Sequence, residues 1–248
     1  MQESPGFLSA DHGVRLGSFT GRGIGIAVVD SGLSSDGMRV RHGAGVAFRR
    51  DQSSRGIITS SDTSDRIGHG TRCALQIVHV APDVQVIPVK VFHERLEADP
   101  SVVEHAIDWA TEQGVHVISM SLATTRRDVI GPWYRACARA ASRGVTLVAA
   151  ASPSSEPSFP AAFDCVFGVR PARTASPFEF LFRAADRYEC GAWGRAPSVD
   201  AGATEGVGVS SLAAATMAGV IAAIIEGHAP ENQQALRALL ARCASDTT

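Results

Sequence analysis

The chain has 248 residues, 45% of them hydrophobic and 19% charged, with a formal net charge of −2. That balance fits one domain with a buried core and excludes a disordered, collagenous or low-complexity chain. The near-zero charge excludes a broad electrostatic pull toward nucleic acid or anionic lipid.

Residues 1–20 read as an N-terminal extension, without the basic-then-apolar order of a secretory signal and with no obvious pro-segment. Residues 25–30 (GIAVVD) then form a short β-branched run that closes on a carboxylate, the first expected strand. Residues 68–74 (GHGTRCA) set a histidine between two glycines, ahead of an apolar helical stretch. Further strands are expected over 84–91 (VQVIPVKV), 115–122 (VHVISMSL), 145–151 (VTLVAAA) and 166–169 (VFGV). Between them, residues 101–113 put Val102, Val103, Ala106, Ile107 and Ala110 on one helical face, and Gly114 stops that helix. Residues 132–143 repeat the design and stop at Gly144. The alanine-rich run 212–225 suits a buried helix and is shorter than a membrane span. Apolar strands alternating with helices predict an α/β three-layer sandwich with a mostly parallel sheet, joined by right-handed crossovers, as a single domain over residues 1–248.

Sheets of this kind place ligands beyond the carboxyl ends of their strands, so Asp30, Ser121 and Ser152, which close three of them, are candidates for chemistry. Asp30 sits in an Asp-Ser-Gly sequence, which is also ordinary turn chemistry. His69, flanked by Gly68 and Gly70 at a helix start, is open to a carboxylate on one side and a hydroxyl on the other. Ser210 and Ser211 open a helix of small apolar residues, where a hydroxyl meets the positive end of the helix dipole; an N-cap serine accounts for the same pattern. Cys73, Cys137, Cys165, Cys190 and Cys243 are an odd, dispersed set without zinc-ligand spacing, as expected in a reducing cytoplasm. The glycine-rich stretch 21–25 precedes its strand rather than following one, so it is not a dinucleotide fingerprint. His93-Glu94 lacks the second histidine of an HExxH site, and neither a P-loop nor a GxSxG elbow occurs.

An aspartate at a strand end, a histidine at a helix start and a serine at a buried helix start, in that chain order, resemble the subtilisin-like serine proteases. The matching segments are GIAVVDSG, GHGTRCA, VIPVKVF, AIDWATEQGVHVISMSL, GVTLVAAAS, FPAAFDCVFGV and SSLAAATMAG, spread over residues 23–227, and HGTRCA is most similar to the kexin-like branch. The resemblance implies that Asp30 orients, His69 is the general base and Ser211 the nucleophile. The spacing of eight residues from Ser211 to Gly219 fits the family register, and Ser210 is the competing hydroxyl. It also implies that Ser121, Leu122 and Ala123 form one wall of the substrate pocket, and Ala150, Ala151 and Ser152 the other.

The chain departs from the family in three places, one of them length, since no pro-segment is obvious and the loops after Ser152 and over 171–200 look short or irregular. Pro153 stands where the family places an oxyanion-binding asparagine, so replacement donors are sought among Ser152, Ser154, Ser155 and the Ser211 backbone N–H. The family's Gly-Thr-Ser-Met-Ala-Ser-Pro-His reads Val209 to Thr216 here, keeping the serine, one alanine and the small-residue character. Glu156, beside this loop, suggests a preference for a basic residue before the cut. The expectation is an intracellular serine endopeptidase with a restricted role such as trimming a leader from a precursor peptide. The alternative is an inactive member that binds peptides or serves as a scaffold. No cofactor or metal site is expected; calcium is implied by the resemblance alone, with no ligand set to match. The expected partner is a peptide or protein substrate, with neither nucleic acid nor membrane, and a partner subunit stays open. Cys73, four residues after His69, is expected beneath the site.

Overall fold

The apolar runs become the middle of a sheet. A computed structural model describes residues 18–34, 40–54, 56–154, 156–195 and 209–245; Ser155, residues 1–17 of the expected extension and residues 206–208 lie outside these. In chain order the elements are β1 (Gly25–Asp30), β2 (Val46–Arg50), β3 (Ile57–Ser60), α1 (His69–Val80), β4 (Gln85–Lys90), α2 (Pro100–Glu112) and β5 (Val117–Met120). There follow α3 (Ile130–Ser142), β6 (Thr146–Ala150), β7 (Val166–Pro171), β8 (Phe180–Phe182), β9 (Cys190–Ala192), α4 (Val209–His228) and α5 (Gln233–Cys243). Among the described residues nine strands form one sheet in the order β3-β2-β4-β1-β5-β6-β7-β9-β8. The inner pairs are parallel, and antiparallel pairs β2–β3 and β8–β9 close the two edges.

Alternation along the pleat divides the core into two. Ile26, Val28, Val117, Val148 and Phe167 face the layer of α1, α4 and α5. Ala27, Val29, Ile118, Met120 and Leu147 face α2 and α3. The expected three-layer α/β architecture is therefore observed. The expected strand and helix limits hold to within a few residues, and Gly114 and Gly144 follow α2 and α3 with φ of 69° and 81°.

The helix that opens with Ser210 and Ser211 needs a correction. It runs for 20 residues rather than the expected fourteen, and within it Ser210–His228 is long and apolar enough to cross a membrane by length and composition. Its packing accounts for that composition. It lies against α1 and over β5, β6 and β7, with Met217, Ile221 and Ile224 fully buried. Each such large side chain contributes about 1.5–3 kcal/mol relative to exposure. A Cβ at Gly219 would stand 2.8 Å from Val80 Cβ, so the small residue lets α1 and α4 come this close.

The structure adds the edge strands β2, β3, β8 and β9 and the helix α5 to the expected elements. β3 is mostly exposed and β8 and β9 have three residues each, too little for an alternating signal. In α5, Leu236, Leu240 and Cys243 make a legible apolar face that went unread.

Candidate active site

β1 delivers Asp30 to the carboxyl edge of the sheet, with β4 on one side and β5 on the other. There Asp30 is fully buried, and His69, the first residue of α1, is 6% exposed. His69 Nδ1 lies 2.8 Å from Asp30 Oδ1 and 3.0 Å from Oδ2. A carboxylate only accepts, so Nδ1 carries the proton and Nε2 keeps its lone pair for a donor. Asp30 Oδ1 also accepts from the Ser31 N–H at 2.7 Å, which fixes the carboxylate plane.

The turn after β1 is sewn to the first turn of α1. The Gly70 N–H donates to Ser31 Oγ at 2.8 Å and the Ser34 N–H to Thr71 Oγ1 at 3.0 Å. A Cβ at position 70 would lie 2.4 Å from the Gly32 carbonyl oxygen, so the glycine after His69 is a requirement of close approach.

Asp65, which is not among the expected site residues, caps this helix from outside. Its Oδ1 accepts from the N–H groups of Ile67 and Gly68, and its Oδ2 from Thr71 N–H and Oγ1, all within 2.7–3.0 Å. Burial pushes its carboxyl up, but the hydrogen bonds from Thr71 and Gly68 outweigh that and hold it below the usual aspartate value. An aspartate shortly before a helix start was the available signal.

Cys73 lies beneath the pair as expected, its Sγ 4.0 Å from His69 Nδ1 and 3.3 Å from Ser121 Oγ. Ser121 Oγ donates to the Ser211 carbonyl at 3.4 Å, so the Cys73 S–H supplies the proton of its own contact. Burial first, then the Asp30 charge, push this thiol well above its ordinary value. Asp30, His69 and Cys73 also offer three metal-capable atoms within 4.8 Å of one another, a grouping the sequence spacing had not suggested. With Nδ1 committed to Asp30 and the thiol held protonated, the site fits an oriented base better than a metal. The carboxylates of Asp51, Asp62, Asp65 and Asp99 accept hydrogen bonds within their own turns.

Ser210 and Ser211 are half-buried in the first turn of α4. Gln76 Nε2 donates to Thr216 Oγ1 at 2.7 Å, and Val80 meets Gly219, so α1 and α4 run parallel and bring the Ser211 turn alongside the His69 turn. Among the described residues no hydrogen bond joins Ser211 Oγ to His69. Such contacts commonly tighten only when substrate binds.

The segments expected to wall the substrate pocket leave neighbouring strands, since Met120 of β5 pairs with Ala149 of β6. Leu122, Ala150 and Ala151 are buried, Ser121 and Ser152 half-buried and Ala123 exposed. A two-bond bridge between Thr124 and Phe159, at 3.0 and 2.8 Å, ties the two connections together. In the altered loop Pro153, Ser154 and Glu156 are exposed. The Ser154 N–H reaches Ser152 Oγ only at 3.4 Å and Ser154 Oγ the Glu156 carbonyl at 3.5 Å, both at the long limit for a hydrogen bond.

The profile of the subtilase family (peptidase S8) matches residues 21–178. The chain belongs to the subtilase family. That match takes in Asp30 and His69 and ends before Ser211. Alkaline elastase YaB from Bacillus sp. (strain YaB) is 30% identical over 146 residues, which are 55% of this chain and 35% of that relative. The chain thus spans about a third of that relative's length. Among solved structures, a lanthipeptide protease has a TM-score of 0.67 at 19% identity, covering 93% of this chain and 84% of its own. The epidermin leader peptide processing serine protease EpiP from Staphylococcus aureus has a TM-score of 0.64 at 17% identity, covering 88% and 68%. At these identities the likeness is one of fold, and that fold is the subtilase α/β sandwich.

Proposed function

We propose that this subtilase is a serine endopeptidase that cleaves peptide bonds through Asp30, His69 and Ser211 and an acyl-enzyme. The observation that carries this reading is the buried Asp30–His69 pair, with Nδ1 bonded to both carboxylate oxygens beside the first turn of α4. In that arrangement Ser211 Oγ attacks the scissile carbonyl as His69 Nε2 takes its proton. His69 then returns the proton to the leaving amine, while Asp30 holds the tautomer and stabilises the imidazolium. The Ser211 backbone N–H supplies an oxyanion donor, with Ser152 and Ser154 as the side-chain candidates.

The substrate is a peptide or protein in a restricted processing role, such as leader trimming from a precursor. The structural neighbours named as lanthipeptide and leader peptide processing proteases support that choice. Glu156 favours a basic residue before the cut. The five free thiols suit a reducing, cytoplasmic setting. Pro153, which has neither a side-chain donor nor an N–H, favours a second reading in which the fold binds peptides without cutting them.

Labelling with an alkyl fluorophosphonate, mapped by peptide mass, decides between them. The expected result is an adduct on Ser211 that is lost in Ser211→Ala and His69→Ala. An adduct on Ser210 would move the nucleophile by one residue, and no adduct on the folded protein would overturn the catalytic reading.

A further inference from the structure

Two amide groups beside the candidate pocket end on one buried tyrosine. The Ser152 N–H donates to Ser158 Oγ at 2.9 Å, and the Ser158 N–H donates to Tyr188 Oη at 3.0 Å. Ser158 Oγ and Tyr188 Oη are 3.2 Å apart, so a third hydrogen bond closes the group. Ser158 is fully buried and Tyr188 is 5% exposed.

The position of this hub matters more than its burial. Pro153, Ser154, Glu156 and Pro157 belong to an exposed loop after β6, and among the described residues their hydrogen bonds are the two long ones given above. Among the described residues, its ties to the rest of the protein run through Ser158. The next residue, Phe159, forms the two-bond bridge to Thr124, on the connection that follows β5. Tyr188 therefore supports the point at which both walls meet. Its own ring is held on two sides: the Arg170 guanidinium lies 4.4 Å from the ring centroid, and a Cβ at Gly168 would stand 2.8 Å from Tyr188 Cδ1. A ring held this way gives its hydroxyl one position, which preorganises the wall it supports.

We infer that Tyr188 is a positioning residue for the pocket that takes the side chain preceding the scissile bond, setting its selectivity through Ser158 and Ser152. This rests on the peptidase reading above. Tyr188→Phe keeps the ring and its packing and removes the hydroxyl, leaving the Ser158 N–H without its acceptor. The Ser152 wall then loosens, and side chains of different size are discriminated less sharply.

Diphenyl aminoalkylphosphonate probes carrying an alanine, leucine, phenylalanine or lysine side chain, compared with the alkyl fluorophosphonate, read this directly. In Tyr188→Phe the ratio between the best and worst aminoalkyl probes, each rate normalised to that of the fluorophosphonate, is expected to shrink at least five-fold. Ser158→Ala, a second route to the same loss, should reproduce the change, and the double variant should add little to either. Equal slowing of all probes, or an unchanged ratio in both single variants, would overturn the inference and leave the peptidase reading standing. Failure of the wild type to take up the fluorophosphonate would overturn both.

Discussion

The part of the chain matched by the family profile and the part that follows it solve their tasks by different means. In the first, Asp30 and His69 are held by short side-chain hydrogen bonds in a buried site, and Gly70 is obligatory because backbone stands where its Cβ would go. In the second, α4 carries Ser211 on a helix positioned by shape: alanines, Gly219 and fully buried Met217, Ile221 and Ile224. Directional bonds allow little substitution, because removing one partner strands the other. Close packing of a helix permits many sequences of similar volume. Hence the segment around Ser211 can diverge from the family pattern while its helix keeps its place beside α1.

The strongest way to break this contrast is Asp30→Asn. If the directional half does the catalytic work, the substitution favours the wrong tautomer of His69, and turnover and fluorophosphonate labelling should fall by roughly 10⁴-fold, the scale known from related triads. An unchanged rate, with the fold intact by circular dichroism, would make the pair structural. Pro153→Asn tests the divergent side. Removing an oxyanion donor costs about 100- to 1,000-fold, so restoring one should raise kcat, by up to about 100-fold where the amide reaches the oxyanion. No gain would mean that the Ser211 N–H and the hydroxyls of Ser152 or Ser154 already meet the need.

Gln76 and Thr216 form one of the hydrogen-bonded pairs that cross between the halves, and its two members should behave unequally. Thr216 Oγ1 accepts from Gln76 Nε2 and donates to the Trp193 carbonyl at 2.8 Å. Thr216→Val strands both partners at nearly constant volume, so unfolding should become easier by about 1–3 kcal/mol. Gln76 already has a buried Oε1 without a hydrogen-bond partner. Gln76→Leu removes that cost together with the bond and should come out close to neutral in a denaturant titration. Equal losses in the two variants would mean that the link is worth more than its desolvation.

The same contrast explains what the sequence made legible. Strands with continuous apolar runs, such as residues 26–29 and 147–151, announce a buried parallel sheet, and the GHG pattern is readable because glycine has few other reasons to flank a histidine there. Ser211 was reached only through spacing to Gly219, since N-caps and nucleophiles use the same hydroxyl. Ser158 and Tyr188 are thirty residues apart and meet through strand order, which periodicity does not report. The edge strands escape for a related reason: β3 is mostly exposed, and β8 and β9, with three residues each, are too short for the alternation that marks a half-buried strand.

Asp65 provides the finest test, because it supports His69 without touching it. Gly68 opens α1 with φ 82° and no side-chain cap, so the Asp65 carboxylate does the work of an N-cap by accepting from Gly68 and Thr71. Loss of such a cap typically costs about 0.5–2 kcal/mol, so Asp65→Asn should lower the melting temperature by a few degrees at neutral pH. The sign of the pH dependence follows from the direction of the shift. A carboxyl held below its unfolded value contributes stability that is fully present above that value, about 3.9, and lost as pH falls through the lower folded value. The gap between wild type and variant should therefore narrow as the solution is taken below about pH 4. A gap that persisted there would assign the effect to the shape of the 61–68 loop rather than to its charge. The base would then be held by Asp30 and by the stitches from Gly70 to Ser31 and from Ser34 to Thr71.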